Sequence, residues 1–291
     1  MRSLKNIKRE FLGINMRNVE YIYPSNERKH YKLADDKVLA KEIMESNNLA
    51  CAKTYAVIEK IGALHDKWES VQHYDSLAIK PANGSGGGGI LILSKNEDGQ
   101  WTKGGEVMES DQILLYMANI IMGVYSLGSN DRVLIEECII PDPFFETIYP
   151  EGVPDFRVIV YKGELVLGML RVPTDKSDGK ANLHQGGLGI GVDLSTGLMT
   201  HGFDGKKYYK KHPDSGGVIH NVPVPYWEDI KKLSIDTADA FPLRYLGVDI
   251  VIDANKGPLI MEVNVRPGLG IQMVNNKGLR PILEAIDAKF N

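Results

Sequence analysis

The run Gly247-Val-Asp-Ile-Val-Ile-Asp-Ala-Asn-Lys-Gly-Pro-Leu-Ile-Met-Glu-Val-Asn264 constrains this chain most. It reads as two strands joined by a tight turn at Ala254-Asn255-Lys256-Gly257. Side chains alternate faces along a strand, so Val248, Ile250 and Ile252 share one face with Leu259, Met261 and Val263. That face is apolar and belongs to a core, while the opposite face carries Asp249, Glu262 and Asn264. With a loop of two or four residues, Asp249 stands opposite Glu262, with Cβ atoms roughly 4.5–5.5 Å apart. A three-residue loop slips the register by one and separates them. Like charges directly opposed need neutralising, and three oxygen-bearing side chains suit a hard divalent cation such as Mg²⁺. The plainer alternative is a pair of solvated carboxylates on an outer face.

A length of 291 residues predicts about two domains at ~150 residues each. Hydrophobic residues make up 43% and charged residues 25%, which is enough apolar material for a substantial core. A net charge of -4 supplies no general attraction to nucleic acid or to a lipid surface, so neither is expected as a partner. Cys51 and Cys138 lie far apart and form no metal-ligand or redox motif. They read as reduced thiols of a cytoplasmic protein. The first ten residues lack the apolar core of a signal peptide. The longest apolar stretch, 113–127, is interrupted by Asn119 and falls short of the ~20 residues of a membrane span. It reads as a buried helix, with Glu109, Ser110 and Asp111 favouring its N-terminus.

Residues 33–46 are predicted helical, with an apolar stripe of Leu33, Val38, Leu39, Ile43 and Met44. Strands are predicted at 76–80, 90–93 and 132–135, and a hairpin at 155–161 and 164–170 around Lys162-Gly163. Ile140-Pro-Asp-Pro-Phe144 breaks regular structure. Residues 174–191 are polar and glycine-rich, a loop long enough to be functional. Helices are predicted at 226–240 and 279–289. Hairpin-linked strands with intervening helices favour α+β lobes with antiparallel sheets over a doubly wound parallel sheet.

Gly84, Gly86 and Gly89 satisfy G-x-G-x-x-G, but a strand follows rather than the helix that a dinucleotide site needs. No Lys-Ser/Thr pair makes it a Walker loop. What remains is a glycine hairpin whose amides can approach phosphate, with Lys80 ahead of it offering an ammonium group. A flexible surface hairpin is the competing reading. Arg157 and Arg171 are placed to grip phosphate or carboxylate, or to form surface ion pairs. Asn182 and His184 fall in the 174–191 loop. Arg17, Arg28, Lys29 and His30 among Tyr21, Tyr23 and Tyr31 read as a solvated face rather than a nucleic-acid patch.

These residues together resemble the ATP-grasp superfamily. The resemblance rests on Asp36-Lys37, on Ile79-Lys80-Pro81 with its glycine loop and on Ile135-Glu-Glu-Cys-Ile139. It continues through Asp155-Phe-Arg157, Asn182-Leu-His-Gln-Gly-Gly187, Gly247-Val-Asp-Ile250 and Gly257-Pro-Leu-Ile-Met-Glu-Val-Asn264. The pieces stand in the superfamily's order along nearly the whole chain, with most likeness to alpha-L-glutamate ligase-like proteins and the ribosomal-protein glutamate ligase. The resemblance implies an N-terminal segment at 1–36, a glycine-loop lobe at 37–137 and a metal-bearing lobe at 138–291. It implies an α+β ATP-grasp fold, with two lobes clasping ATP. Lys37, Lys80, Gly84, Ser85, Gly86 and Gly87 would contact its phosphates. Glu136, Glu137, Cys138 and Ile139 would form the adenine hinge, Glu146 would reach the ribose, and His184 would assist. Asp249, Glu262 and Asn264 would hold Mg²⁺, two ions by family likeness, with Mn²⁺ as the alternative. Lys80, Arg157, Arg171 and Asn182 would surround the transferred group.

The implied chemistry is a carboxylate–amine ligation through an acyl phosphate, releasing ADP and phosphate. The acceptor would be a small carboxylate or peptide, and the amine an amino acid such as glutamate. The glutamate-adding relatives carry a full domain ahead of the first lysine, where this chain has about thirty-six residues, too few for an independent domain. A homodimer partner completing the site is therefore an expectation. Arg266 in Val-Arg-Pro-Gly-Leu269 is assigned to a substrate carboxylate. A kinase on the same scaffold and a non-catalytic nucleotide binder are the competing functions.

Overall fold

Alternation and turn chemistry produce two antiparallel sheets. The computed structural model describes residues 9–84, 88–177 and 179–290. The chain divides into two units, one of Asp35–Glu42 and Cys51–Ile139, the other of Met1–Ala34, Ile43–Ala50 and Ile140–Asn291.

In the first unit, strands β1 (Thr54–Ile58), β2 (Ser76–Pro81), β3 (Leu91–Lys95), β4 (Trp101–Lys103), β5 (Glu106–Val107) and β6 (Val133–Glu136) form a sheet in the order β1-β6-β2-β3-β4-β5. One face contributes Leu77, Ile79, Leu91, Leu93, Val133 and Ile135 to a core completed by Trp68, Ile113, Met117 and Ile120. These last four come from the helices Leu64–Val71 and Ser110–Ile121. Alternation puts Ala78, Lys80, Leu134 and Glu136 on the other face, with Ala78 opposite Glu136 and Lys80 opposite Leu134. The helix Ser110–Ile121 starts in a capping box between Glu109 and Gln112. It stops at Gly123, whose φ of 83° a side chain would oppose. The apolar stretch is thus not a helix buried all round, for Leu115, Met122, Val124 and Leu127 are exposed.

The predicted helix over 33–46 is broken at Asp36, giving Lys32–Asp35 and α1 (Lys37–Ser46). The Asp36 carboxylate accepts from the amides of Val38 (3.1 Å) and Leu39 (3.2 Å), capping the second helix and ending the first.

The second unit holds β7 (Asp155–Tyr161), β8 (Glu164–Val172), β9 (Leu188–Val192), β10 (Met199–Phe203), β11 (Tyr208–Tyr209), β12 (Tyr245–Asp253) and β13 (Gly257–Asn264), in the order β11-β10-β9-β8-β7-β12-β13. Lys162 and Gly163 turn β7 into β8 with φ of 49° and 79°, the positive values a two-residue hairpin requires. The long loop predicted at 174–191 ends at Gly187, because Leu188–Val192 is a fully buried strand. Its glycines hid it. A Cβ on Gly189 would lie 2.5 Å from Val274, and one on Gly191 2.6 Å from Thr200, so close packing dictates glycine where strand propensity does not.

The β12–β13 hairpin corrects the expected turn. Asp253 pairs with Gly257, so the loop has three residues. The carboxylate of Asp253 accepts from the amides of Asn255 (2.9 Å) and Lys256 (3.1 Å). The consequent slip is cancelled by a β-bulge, for Ile250 pairs with Ile260 while Asp249 pairs with Glu262, leaving Met261 as the extra residue. Ile260, 1% exposed, takes the core position assigned to Met261. The acidic face is covered too, since every residue of β12 is buried.

The N-terminal segment packs into this unit. Arg17, 3% exposed, donates to the carbonyl of Pro267 (2.6 Å). The Asn26 side chain donates to the carbonyl of Tyr245 (2.7 Å) and accepts from the amide of Tyr245 (2.9 Å). The expected solvated face is therefore buried at Arg17, Tyr21 and Tyr31, half-buried at His30, and exposed at Tyr23, Arg28 and Lys29. Among the described residues no helix is long and apolar enough to cross a membrane.

Candidate active site

The first unit gathers cations on the face of its sheet that α1 covers, where Val38 packs with Leu134. Lys80, next to last in β2, pairs with the carboxylate of Glu136 on β6. Lys41, from α1, lies 3.2 Å from the other oxygen of Glu136 and donates to the carbonyl of Ala52. All three are buried, at 7% exposure for Lys41, 9% for Lys80 and 3% for Glu136. Burial pushes the Glu136 carboxyl up, but Lys80 and Lys41 outweigh it and hold the group below its usual range. Lys37 opens α1. Its amide donates to the carbonyl of Ala82 (3.0 Å) and its ammonium to that of Gly84 (2.5 Å), tying the helix start to the glycine loop. A Cβ on Gly84 would fall 2.4 Å from Pro81 Cγ, so the chain needs glycine there. Ser85, Gly86 and Gly87 lie outside the described residues. Asp36 takes both oxygens to Arg132, at 2.5 Å each.

Beyond β6, the amide of Glu137 donates to the carbonyl of Lys53 (3.0 Å). Cys138 is a free, half-buried thiol, pushed up by burial, and Ile139 is half-buried.

The second unit sets four charges together. Arg157 on β7 grips Asp249 on β12 with both arms of its guanidinium, Nε at 2.7 Å and Nη2 at 2.5 Å. Arg171 on β8 grips Asp155 the same way and reaches Asp249 at 2.7 Å. The pairing of Asp249 with Arg157 and of Asp155 with Arg171 across the sheet makes this geometry automatic. The quartet is buried, with side-chain exposures of 3% for Asp249, 6% for Asp155, 13% for Arg157 and 11% for Arg171. The surface ion pairs considered for these arginines are therefore replaced by buried, bidentate ones. For Asp249, burial raises the carboxyl but Arg157 and Arg171 overcome it, leaving it below its ordinary value. For Asp155, burial prevails over Arg171 and the carboxyl stays raised.

Next to the quartet, Asp249 faces Glu262 and Gly247 faces Asn264, two positions apart on the same hairpin with Val248 and Val263 between them. Glu262 and Asn264 are half-buried. The Asn264 Nδ2 atom is buried without a hydrogen-bond partner. An amide's two ends are interchangeable by a half-turn, and turned over it would present Oδ1 at that point. Among the described residues no three His, Cys, Asp or Glu groups converge on a metal position, so a cation held here would have to take its third donor from the amide. Two carboxylates and an amide oxygen fit a hard divalent cation, with Asp249 shared between that role and two guanidinium groups.

Asn182 caps a short turn, Leu183–Gln185, its side chain accepting from the amide of His184 (3.0 Å). A Cβ built on Gly268 would be 3.9 Å from both Arg157 Nη1 and His184 Nε2, so these two groups converge above that glycine. Arg266 stands apart, exposed, with its guanidinium carbon 5.0 Å from the centre of the Tyr31 ring. Glu146 sits exposed in the turn Pro143–Thr147.

Lys41 and Arg132 escaped the sequence reading. Lys41 falls three residues after Val38 and three before Met44, on the buried stripe of its helix, and a lysine on an apolar stripe is itself a signal.

Residues 16–288 match the sugar-transfer associated ATP-grasp family. Over 158 residues the chain is 28% identical to the probable alpha-L-glutamate ligase 2 of Pseudoalteromonas atlantica, covering 54% of this chain and 38% of that protein. Over 204 residues it is 26% identical to a probable alpha-L-glutamate ligase of Legionella pneumophila, covering 69% of this chain and 52% of that protein. The chain thus spans about half the length, or less, of these relatives. The solved structure of D-alanine–D-alanine ligase from Bacillus anthracis is similar in fold, with a TM-score of 0.50 and 16% identity over 90% of this chain and 65% of that one. With the match running through both units, the chain has the α+β ATP-grasp fold and belongs to the sugar-transfer associated ATP-grasp family.

Proposed function

We propose that this chain is an ATP-dependent carboxylate–amine ligase. The observation that carries the reading is the register of β12 and β13, which sets Asp249 opposite Glu262 and Asn264 one step further along the pleat. Bound Mg²⁺, held by Glu262, Asn264 and Asp249, would supply a counter-charge to phosphate oxygens. Lys80 and Lys37, both in the first unit, are the groups assigned to phosphate oxygens. Arg157 Nη1 is not used in its grip on Asp249 and lies near Gly268, where it is proposed to hold an acyl or phosphoryl oxygen.

The substrate carboxylate attacks the terminal phosphorus of ATP, forming an acyl phosphate and releasing ADP. An amine then attacks the acyl carbon, the amide bond forms, and phosphate and a proton leave. Phosphoryl transfer of this kind depends on positioning and charge neutralisation rather than on a protein nucleophile. The names of the relatives make glutamate the first amine to try, and a small acid or peptide is the proposed acceptor. Arg266 is the group proposed for a substrate carboxylate.

The test is ATP turnover with Mg²⁺, pooled amino acids and peptides, and hydroxylamine, read by mass spectrometry. ADP with a hydroxamate supports the ligase and names the activated acid. ADP with a stable phosphorylated product replaces it with a kinase. Nucleotide binding without turnover across that pool replaces it with a binder.

A further inference from the structure

Lys41 has no part in the chemistry described so far, yet it is as buried as the lysine proposed to bind phosphate. Its ammonium takes one oxygen of Glu136 at 3.2 Å, while Lys80 takes the other. Two ammonium groups thus divide one carboxylate, and the three side chains sum to a formal charge of +1 between the sheet and α1. Lys80 and Glu136 alone would be neutral and self-sufficient. A methionine at 41 would continue the apolar stripe of Val38 and Met44 without burying a charge at all. A surplus buried charge is unfavourable unless a counter-charge arrives.

We propose that Lys41 is a positioning residue for a polyphosphate: by occupying one oxygen of Glu136 it keeps Lys80 from being neutralised, so the cluster presents positive charge to the nucleotide's phosphates. The inference rests on the nucleotide reading above. It assigns stability and ligand affinity opposite signs at one residue, which a purely structural lysine would not do.

The experiment compares ADP with adenosine by calorimetry, without divalent cation, for the native chain, Lys41→Gln and Lys41→Arg. Glutamine keeps a donor for the Ala52 carbonyl but no charge. Loss of one nearby buried charge weakens ADP binding by about tenfold and leaves adenosine unchanged. Arginine stays within about threefold of the native chain, because the charge is kept even though the shape differs. Lys41→Met gives the same comparison if the glutamine variant fails to fold, and its melting temperature rises while its ADP preference falls. An unchanged ratio of ADP to adenosine affinity, or an equal loss of both, overturns the proposal. A native chain that binds neither ligand overturns the nucleotide reading itself, a result separate from failure at Lys41.

Discussion

Replacing Asp155 by alanine separates what the buried quartet does for the fold from what it does for the site. Asp155 holds Arg171 with both oxygens, and Arg171 keeps only its 2.7 Å contact to Asp249 once Asp155 is gone. Four charges that sum to zero become three that sum to +1, in a cluster whose most exposed member, Arg157, is 13% exposed. Breaking a buried pair from one side costs about 3–5 kcal/mol, and the surviving Asp249 contact puts this case near 3. With a urea dependence of ~3 kcal/mol per molar for a unit of this size, the midpoint falls by about 1 M. The double variant Asp155→Leu/Arg171→Met behaves differently. It leaves Arg157 and Asp249 as a matched bidentate pair and fills the space with apolar side chains, so it unfolds within ~1 kcal/mol of the native chain. ATP turnover is lost in both. The assay is urea unfolding followed by tryptophan fluorescence and circular dichroism, beside the turnover measurement. A midpoint shift below ~0.3 M for Asp155→Ala, at unchanged slope, or a double variant as unstable as the single one, would refute the reasoning.

Glu262→Ala is expected to abolish Mg²⁺-dependent turnover and leave the melting temperature unchanged; substantial activity in that variant removes Glu262 from the metal set. Glu136 has a folded pKa below its ordinary 4.5, so its contribution to stability is complete above that pH and is lost as pH falls through the depressed value. Urea midpoints from pH 7 down to the acid limit should therefore fall more steeply for the native chain than for Glu136→Gln. Gly247→Ala places a Cβ 2.7 Å from that of Pro267; overpacking of this kind costs about 1–3 kcal/mol, read as a lower melting temperature.

The fold class was legible because hairpins announce themselves locally, as Lys162-Gly163 does between β7 and β8. The pairing of Asp249 with Glu262 was also legible, but through two departures that cancel: a three-residue loop and the bulge at Met261. Neither has a strong sequence mark. Asp36 was visible as a motif residue, whereas its role in breaking a helix depends on which amides its carboxylate meets. Strand β9 was hidden because Gly189 and Gly191 answer to side chains far away in sequence, Val274 and Thr200. Arg157 and Arg171 could be placed on a hairpin, but their burial depends on β12 lying alongside, a contact spanning 92 residues for Arg157 and Asp249. Lys41 is the reverse case, a lysine in an apolar stripe whose partner only the sheet supplies.

Met261 carries a consequence for how this hairpin can change in length. The turn and the acidic pair are out of phase by one residue, and the bulge absorbs the difference. Adding or removing a single residue within the loop need change only the loop, because Asp253 and Gly257 and the pairs beyond them can keep their partners. Deleting Met261 itself would keep Asp249 opposite Glu262, since the extra residue lies between that pair and the three-residue loop. Turn and bulge can therefore change independently, and the acidic pair keeps its partner through either change.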